Sequence, residues 1–208
     1  LIENFWIDFE SSLMKDSYIS DFIQESPENM SLPSFKTFVK IGFDSENIYI
    51  GAKLFDSSPD SIQKRLARRD DYQGAFSSLS DWFSIEFDSN HNHQTGYLYA
   101  VNASGVQLDA MVYSDSDYDI EYNGVWESST QIVKDGWQVE MKIPFKMLNI
   151  TQLENPWGVN IHRFIFRKNE THRWVVLPTD TPGISSQYGH VFGLKEMRIS
   201  KAIEIMPY

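Results

Sequence analysis

Apolar and polar positions alternate with a period of two along most of the chain. In Gly136–Phe145, Trp137, Val139, Met141 and Ile143 fall on one side while Gln138, Glu140 and Lys142 fall on the other, the signature of a half-buried strand. Ile48, Ile50, Ala52 and Leu54 repeat the pattern across Asn47–Asp56. The apolar-rich stretch Phe35–Phe43 precedes it across Asp44-Ser45-Glu46, so the two predict a hairpin. Further strands are expected at Asp81–Asp88, Gly96–Asn102, Val106–Tyr113, Val125–Val133, Trp157–Phe166 and Arg173–Leu177. Turn formers at Asp88-Ser89-Asn90, Asn102-Ala103-Ser104-Gly105 and Asp135-Gly136 separate them. Helix is a minority element. Pro59-Asp60-Ser61 starts a short stretch to Ala67 with Ile62, Leu66 and Ala67 as its apolar stripe, and a second turn is expected at Phe145–Leu148, just after Pro144. No fixed-period repeat and no linker rich in Gly, Ser or Pro divides the chain, so residues 1–208 read as a single domain. The expected fold is all-β: an antiparallel β-sandwich, jelly-roll-like, with one or two short helices.

Charge narrows the partners. The chain carries 18 Lys+Arg against 29 Asp+Glu, a formal net charge of -11, so its overall field repels phosphate backbones and excludes nucleic acid as a partner class. With no cysteine, disulfide scaffolds, thiolate zinc sites and cysteine nucleophiles are excluded too. Fourteen Phe, ten Tyr and six Trp either fill a sheet core or supply stacking platforms for ligands. No apolar run approaches the roughly 20 residues that a membrane-spanning helix needs.

An ordered series of short segments is more specific than composition. It runs from Leu1-Ile2-Glu3-Asn4-Phe5-Trp6 through the hairpin strand Asn47–Asp56, Arg68-Arg69-Asp70-Asp71 and Asp81-Trp82-Phe83. It continues through Val101-Asn102-Ala103-Ser104-Gly105-Val106-Gln107, Val125-Trp126-Glu127, Gly136-Trp137 and Ile143-Pro144-Phe145, and ends with Trp157-Gly158-Val159-Asn160, Arg163 and Tyr188-Gly189-His190. This order resembles the family 9 carbohydrate-binding module, in the version found at the N-terminus of an uncharacterised family of bacterial outer-membrane proteins. The resemblance implies a non-catalytic sugar-binding sandwich in the cell envelope, periplasmic or at the cell surface. It also implies a structural calcium held by Asp56 and Asp81, and a tail like Ile205-Met206-Pro207-Tyr208 leading into an outer-membrane barrel of the same chain; the sequence is thus expected to be a fragment. Several sugar contacts of the family are replaced. Ser78-Leu79-Ser80 stands where a Trp is usual, Ser84 where a ligand-contacting Glu stands, Ala100 where an Arg stands, and Pro182 where the second stacking Trp stands.

The candidate carbohydrate-binding residues are Trp82, Glu86, Tyr97, Asn102 and His162. Trp82, Ser84 and Glu86 share one strand face, opposite Phe83, Ile85 and Phe87, so an indole could stack on a sugar ring while Glu86 or Asn102 meets its hydroxyls. A Trp in the second layer of a sandwich gives the same pattern. Tyr97 and Tyr99 carry the same ambiguity, whereas Trp126, Trp137 and Trp157 read as core. His162 stands near a position where sugar-binding relatives place an amide; a satisfied strand histidine fits as well. Asp56 and Asp81 are the candidate calcium ligands, with strand-end capping as the alternative. Acids at alternate positions from Asp115 to Glu121 suggest a calcium loop, but the glycine and glutamate positions of that loop are wrong, which leaves a solvated acidic loop. His91 and His93, in a polar turn, would bind a transition metal only if a third ligand converged. Arg68–Asp71 reads as a set of surface salt bridges or as a docking patch for the barrel. No Gly-x-Ser-x-Gly, His-Glu-x-x-His or phosphate-loop motif is present. The expected function is glycan binding. The alternatives are a plug or interaction domain on its own barrel and, by distant similarity to DOMON-type sandwiches, haem binding through Met or His.

Overall fold

The computed structural model describes residues 18–72, 74–151, 156–176 and 183–192. The expected segments at Leu1–Trp6, Leu177, Pro182 and Ile205–Tyr208 lie outside them. The described residues form two antiparallel sheets. The smaller is ordered β2-β3-β9-β8, where β2 is Thr37–Phe43, β3 Asn47–Phe55, β8 Glu127–Val133 and β9 Gly136–Pro144. The larger runs β1-β11-β10-β4-β5-β6-β7, with β1 Ile23–Ser26, β4 Trp82–Asp88, β5 Gly96–Asn102, β6 Gln107–Tyr113, β7 Asp117–Asp119, β10 Trp157–Ile165 and β11 Glu170–Arg173. A short strand, β12 (Gly189–Val191), pairs with the first residues of β10.

Alternation decides which side chains meet between the layers. Ile48, Ile50, Ala52 and Leu54 of β3 and Trp137, Val139, Met141 and Ile143 of β9 face Phe83, Ile85 and Phe87 of β4, Tyr97, Tyr99 and Val101 of β5, and Trp157, Val159 and Ile161 of β10 in one core. The β8–β9 turn depends on a glycine. Gly136 has φ +146°, and a Cβ there would lie 2.0 Å from the Leu54 carbonyl oxygen.

Two buried polar clamps close the sandwich. Arg163, fully buried on β10, reaches the smaller sheet: its guanidinium donates to the carbonyls of Lys36 (3.1 Å) and Phe55 (2.7 Å) and to Thr37 Oγ1 (3.2 Å). Burial pulls its pKa down to about 10, so it remains a cation. Asp109 of β6 accepts from the Arg69 guanidinium, the Gly124 amide and Trp126 Nε1 (3.0 Å). Arg69 also donates to Gln107 Oε1 and to the Gly124 carbonyl. Arg69 of the Arg68–Asp71 cluster is therefore tied to the sandwich edge.

Two expectations need correction. Asp60–Ala67 is not a helix; a single 3-10 turn at Pro59–Ser61 is all that forms. Groups outside the segment claim its backbone: Gln63 N donates to Asp81 Oδ1, Gln63 O accepts from Asp81 N, Arg65 N donates to Ser80 Oγ and Arg65 O accepts from Asn102 Nδ2, leaving the i to i−4 ladder without partners. The strand expected at Arg173–Leu177 instead occupies Glu170–Arg173. Beyond it the Asn160 amide holds Val175 through both its N–H and its carbonyl. The turn at Phe145–Leu148 forms as expected, and one short α-helix, α1 (Ala75–Ser78), lies over the outer face of the larger sheet.

Candidate functional site

The outer face of the larger sheet carries a second apolar cluster, in which Phe76 of α1 packs with Leu98, Ala100, Leu108 and Ala110. Next to it is a cavity of about 340 Å³. One cross-strand row forms its floor: Arg173, His162, Ser84, Ala100 and Leu108 stand side by side on β11, β10, β4, β5 and β6. Trp82 and Glu86 flank that row two residues either way along β4, while Tyr72, Phe76, Ser77, Tyr118 and Ile184 complete the wall. Ser84 and Ala100 are the smallest side chains of that row. The cavity lies over them.

Three buried polar atoms of uncharged lining residues have no hydrogen-bond partner among the described residues, Ser84 Oγ, His162 Nε2 and Trp82 Nε1; a fourth lining atom without a hydrogen bond, Arg173 Nε, faces Glu25 in an ion pair. The core indoles of Trp137 and Trp157 are unpaired as well. What sets Trp82 apart is that it lines a cavity together with two other such groups. An unmet buried donor or acceptor costs about 1–3 kcal/mol, and a ligand with hydroxyls recovers it. Burial, with the Arg173 cation acting in the same direction, holds His162 well below the ordinary histidine pKa, so its ring is neutral at physiological pH and offers one donor and one acceptor. One face of the Trp82 indole is already taken by Phe164, with ring centroids 5.5 Å apart and 23° between planes.

Glu86 is the single carboxylate among the described residues of the lining. It is completely buried; Tyr118 Oη donates to Oε1 (3.1 Å) and Tyr188 Oη to Oε2. Burial pushes its pKa up, while the two phenols and Arg173 pull it down. Arg173 makes an ion pair with Glu25 Oε2 (2.9 Å), so the cation in the cavity wall is balanced.

The other expected residues lie elsewhere. Tyr97 points into the core between the sheets and packs on Tyr122, 5.5 Å between centroids; by alternation it is on the opposite face from Trp82. Asn102 is used up by the chain itself: its Oδ1 accepts from the Ser104 and Val106 amides, 3.0 Å each, and its Nδ2 donates to the Arg65 carbonyl at 2.9 Å. Asp115, the first acid of the expected loop, accepts from Ile184 N, Ser185 Oγ and the amide and hydroxyl of Ser186, tethering that segment beside the cavity.

The residues present do not fit the calcium that the family resemblance implies. Both oxygens of Asp56 are engaged by Arg167, at 2.6 and 2.7 Å, and Asp81 spends Oδ1 on the Gln63 and Phe166 amides. Asp81 Oδ2 is buried and unpartnered, but guanidinium groups from Arg163 and Arg167 act on this pair of acids. Fixed cations stand where a divalent ion would need several free oxygens.

The family model for carbohydrate family 9 binding domain-like sequences matches residues 13–198. The chain belongs to this family. Among solved structures, a family 9 carbohydrate-binding module from Caldicellulosiruptor kristjanssonii in complex with glucose shares 13% identity. It covers 91% of this chain and 87% of its own, with a TM-score of 0.58. A family 9 module of the same organism in complex with cellotriose aligns equivalently, with 14% identity, 92% and 88% coverage and a TM-score of 0.57. A putative carbohydrate-binding protein from Bacteroides uniformis ATCC 8492 aligns over 82% of this chain and 85% of its own, with 10% identity and a TM-score of 0.60. These likenesses fix the fold as the family's β-sandwich. No curated protein matches the chain.

Relative to its family pattern, the module places Trp82, Glu86 and His162 together, and surrounds them with Tyr118, Tyr188, Phe76 and Arg173. The last four had no marked role in the sequence. Tyr188 stood in the Tyr188-Gly189-His190 motif and Tyr118 within the acidic run, but nothing local says that both phenols end on one carboxylate.

Proposed function

We propose that this domain is a non-catalytic carbohydrate-binding module that takes a terminal sugar or short glycan end into the cavity over Ser84 and Ala100. The observation that carries the reading is the meeting of unmet hydrogen-bonding groups on Ser84, His162 and Trp82 with apolar surface from Phe76, Leu98 and Leu108. Sugars present the same mixture, with hydroxyls at the rim and C–H surface on the ring. At about 340 Å³ the cavity is near the lower end of the roughly 300–1,000 Å³ typical of small-molecule sites, which favours one sugar unit over a long chain. Ligand-bound relatives of the same fold support the ligand class. A neutral His162 and an Arg173 already paired with Glu25 favour a neutral sugar over an acidic one.

A hydrolytic role is disfavoured because glycoside hydrolysis uses two carboxyl groups across the bond, and among the described residues of the lining Glu86 alone carries one. The envelope setting rests on the resemblance of the ordered segments. Calorimetry against a panel of neutral and acidic glycans tests the reading: heat with neutral members that disappears in Ser84→Phe, which fills the floor, supports it. A panel with no response, or binding unchanged in Ser84→Phe, overturns it.

A further inference from the structure

His91 and His93 follow the last residue of β4 in the turn that leads to β5. Both have left-handed backbone angles, φ +49° and +58°. The third ligand that the sequence lacked is supplied by the fold. Ring centroids of His91 and His93 are 4.4 Å apart, and His190 of β12 comes within 4.8 Å of His91. One donor atom from each of Asp88, His91 and His93 lies within 4.8 Å of the others, and His93 Nδ1 is 4.0 Å from Asp88 Oδ2.

The sheet register explains the convergence. On β10, Gly158 pairs with Asp88 of β4 on one side and with His190 of β12 on the other, so acid and imidazole belong to one cross-strand row with a glycine between them. A Cβ at 158 would lie 3.1 Å from Asp88 Cβ and 3.3 Å from Tyr188 Cβ; its absence keeps this row uncrowded. The Nδ1 atoms of His91 and His93 are both buried and have no hydrogen-bond partner among the described residues. Asp88 is fully buried and oriented by the amides of Asn92 (3.1 Å) and His93 (2.8 Å), and each of its oxygens keeps a lone pair for a further ligand.

We propose that Asp88, His91, His93 and His190 form a binding site for a divalent transition metal, with zinc as the fitting ion. Three imidazoles and one carboxylate are a borderline donor set, suited to zinc and poorly matched to calcium or magnesium, which take oxygen ligands. Tetrahedral zinc needs four ligands at about 2.0–2.2 Å, so a bound ion draws these side chains inward. The ion joins the β4–β5 turn to β12, a three-residue strand that, among the described residues, pairs with β10 alone. Because Tyr188, next to β12, holds Glu86 in the cavity wall, the metal also steadies that wall. The site itself does not rest on the sugar-binding reading.

The test uses tag-free protein stripped with chelator, titrated with zinc chloride by calorimetry, with bound metal counted by mass spectrometry and cobalt(II) as a spectroscopic probe. The expected result is one zinc per chain, a zinc-dependent rise in Tm, visible ligand-field absorption from cobalt, and no response to calcium or magnesium. His91→Asn with His93→Asn, chosen because Asn tolerates the left-handed backbone, is expected to abolish zinc binding while the metal-free Tm and circular dichroism stay as in the parent. His190→Gln weakens binding and removes the tetrahedral cobalt spectrum. No zinc uptake by the parent, equal uptake by the double variant, or calcium competing on equal terms would each overturn the proposal.

Discussion

Replacing Asp81 by asparagine tests the electrostatics under the sandwich edge. Asp81 has 0% exposure, and burial raises its pKa from 3.8 to about 6 against the opposing pull of the Phe166 and Gln63 amides and of Arg163 and Arg167. The native state therefore prefers the protonated acid more than the unfolded chain does. The penalty for ionised Asp81 is fully present above pH 6, shrinks as pH falls through the native pKa, and is gone below 3.8. At roughly 1.4 kcal/mol per pH unit, the span corresponds to about 3 kcal/mol. Asparagine keeps an Oδ1 for Gln63 N and Phe166 N and carries no charge, so Asp81→Asn is expected to lose this dependence. Urea unfolding of parent and variant from pH 4 to 7.5 measures it, since the difference between the two isolates Asp81 from other buried acids such as Glu86. The parent should gain about 2.5 kcal/mol relative to the variant as pH falls over that range, because part of the penalty still remains at pH 4. A difference that is flat with pH, or that grows in favour of the parent toward pH 7.5, would refute the reasoning and show that the two arginines outweigh desolvation.

Three further outcomes follow from the same structure. Arg163→Met should destabilise the fold by about 3–5 kcal/mol in urea unfolding, because it removes the buried cation facing Asp81 and Asp56 and takes the guanidinium donor from the Phe55 carbonyl, while the Lys36 carbonyl keeps the Phe55 amide; a loss under about 1 kcal/mol would remove the inter-sheet clamp. Asn102→Ala should cost about 1–3 kcal/mol and speed amide exchange at Ser104 and Val106, and unchanged exchange there would contradict the role given to its carbonyl. Calcium or a calcium-selective chelator should leave Tm unchanged, since Arg167 already engages Asp56; a calcium-dependent rise that is lost in Asp56→Asn would restore the ion to this site.

The parts legible in the sequence were those with strong period-two patterns. Gly96–Asn102 forms over its expected span, and Trp137, Val139, Met141 and Ile143 line the core because alternation is a local property that tertiary contacts here reinforce. Short strands such as β1, β7 and β12 hold three or four residues, too few for a period to show. The false helix at 60–67 had a start signal and an apolar stripe, but Asp81, Ser80 and Asn102, distant in sequence, took its backbone groups. The candidate site divides the same way. Trp82 and Glu86 are two strand steps from Ser84, so their shared face was readable. Tyr97 was misplaced for want of β5's facing, and the pairing of Tyr118 and Tyr188 on Glu86, 102 residues from Tyr188, is a property of the register between strands.

The most direct measurement of the central claim is the indole N–H resonance of Trp82 in a ¹⁵N-labelled sample titrated with a neutral oligosaccharide that binds the domain. If the cavity over Ser84 holds the sugar, this signal shifts strongly together with the His162 ring signals, while the core indoles of Trp137 and Trp157 hold still and Tyr97→Phe leaves the titration unchanged. Shifts confined to other surfaces, with Trp82 and His162 silent, would contradict it.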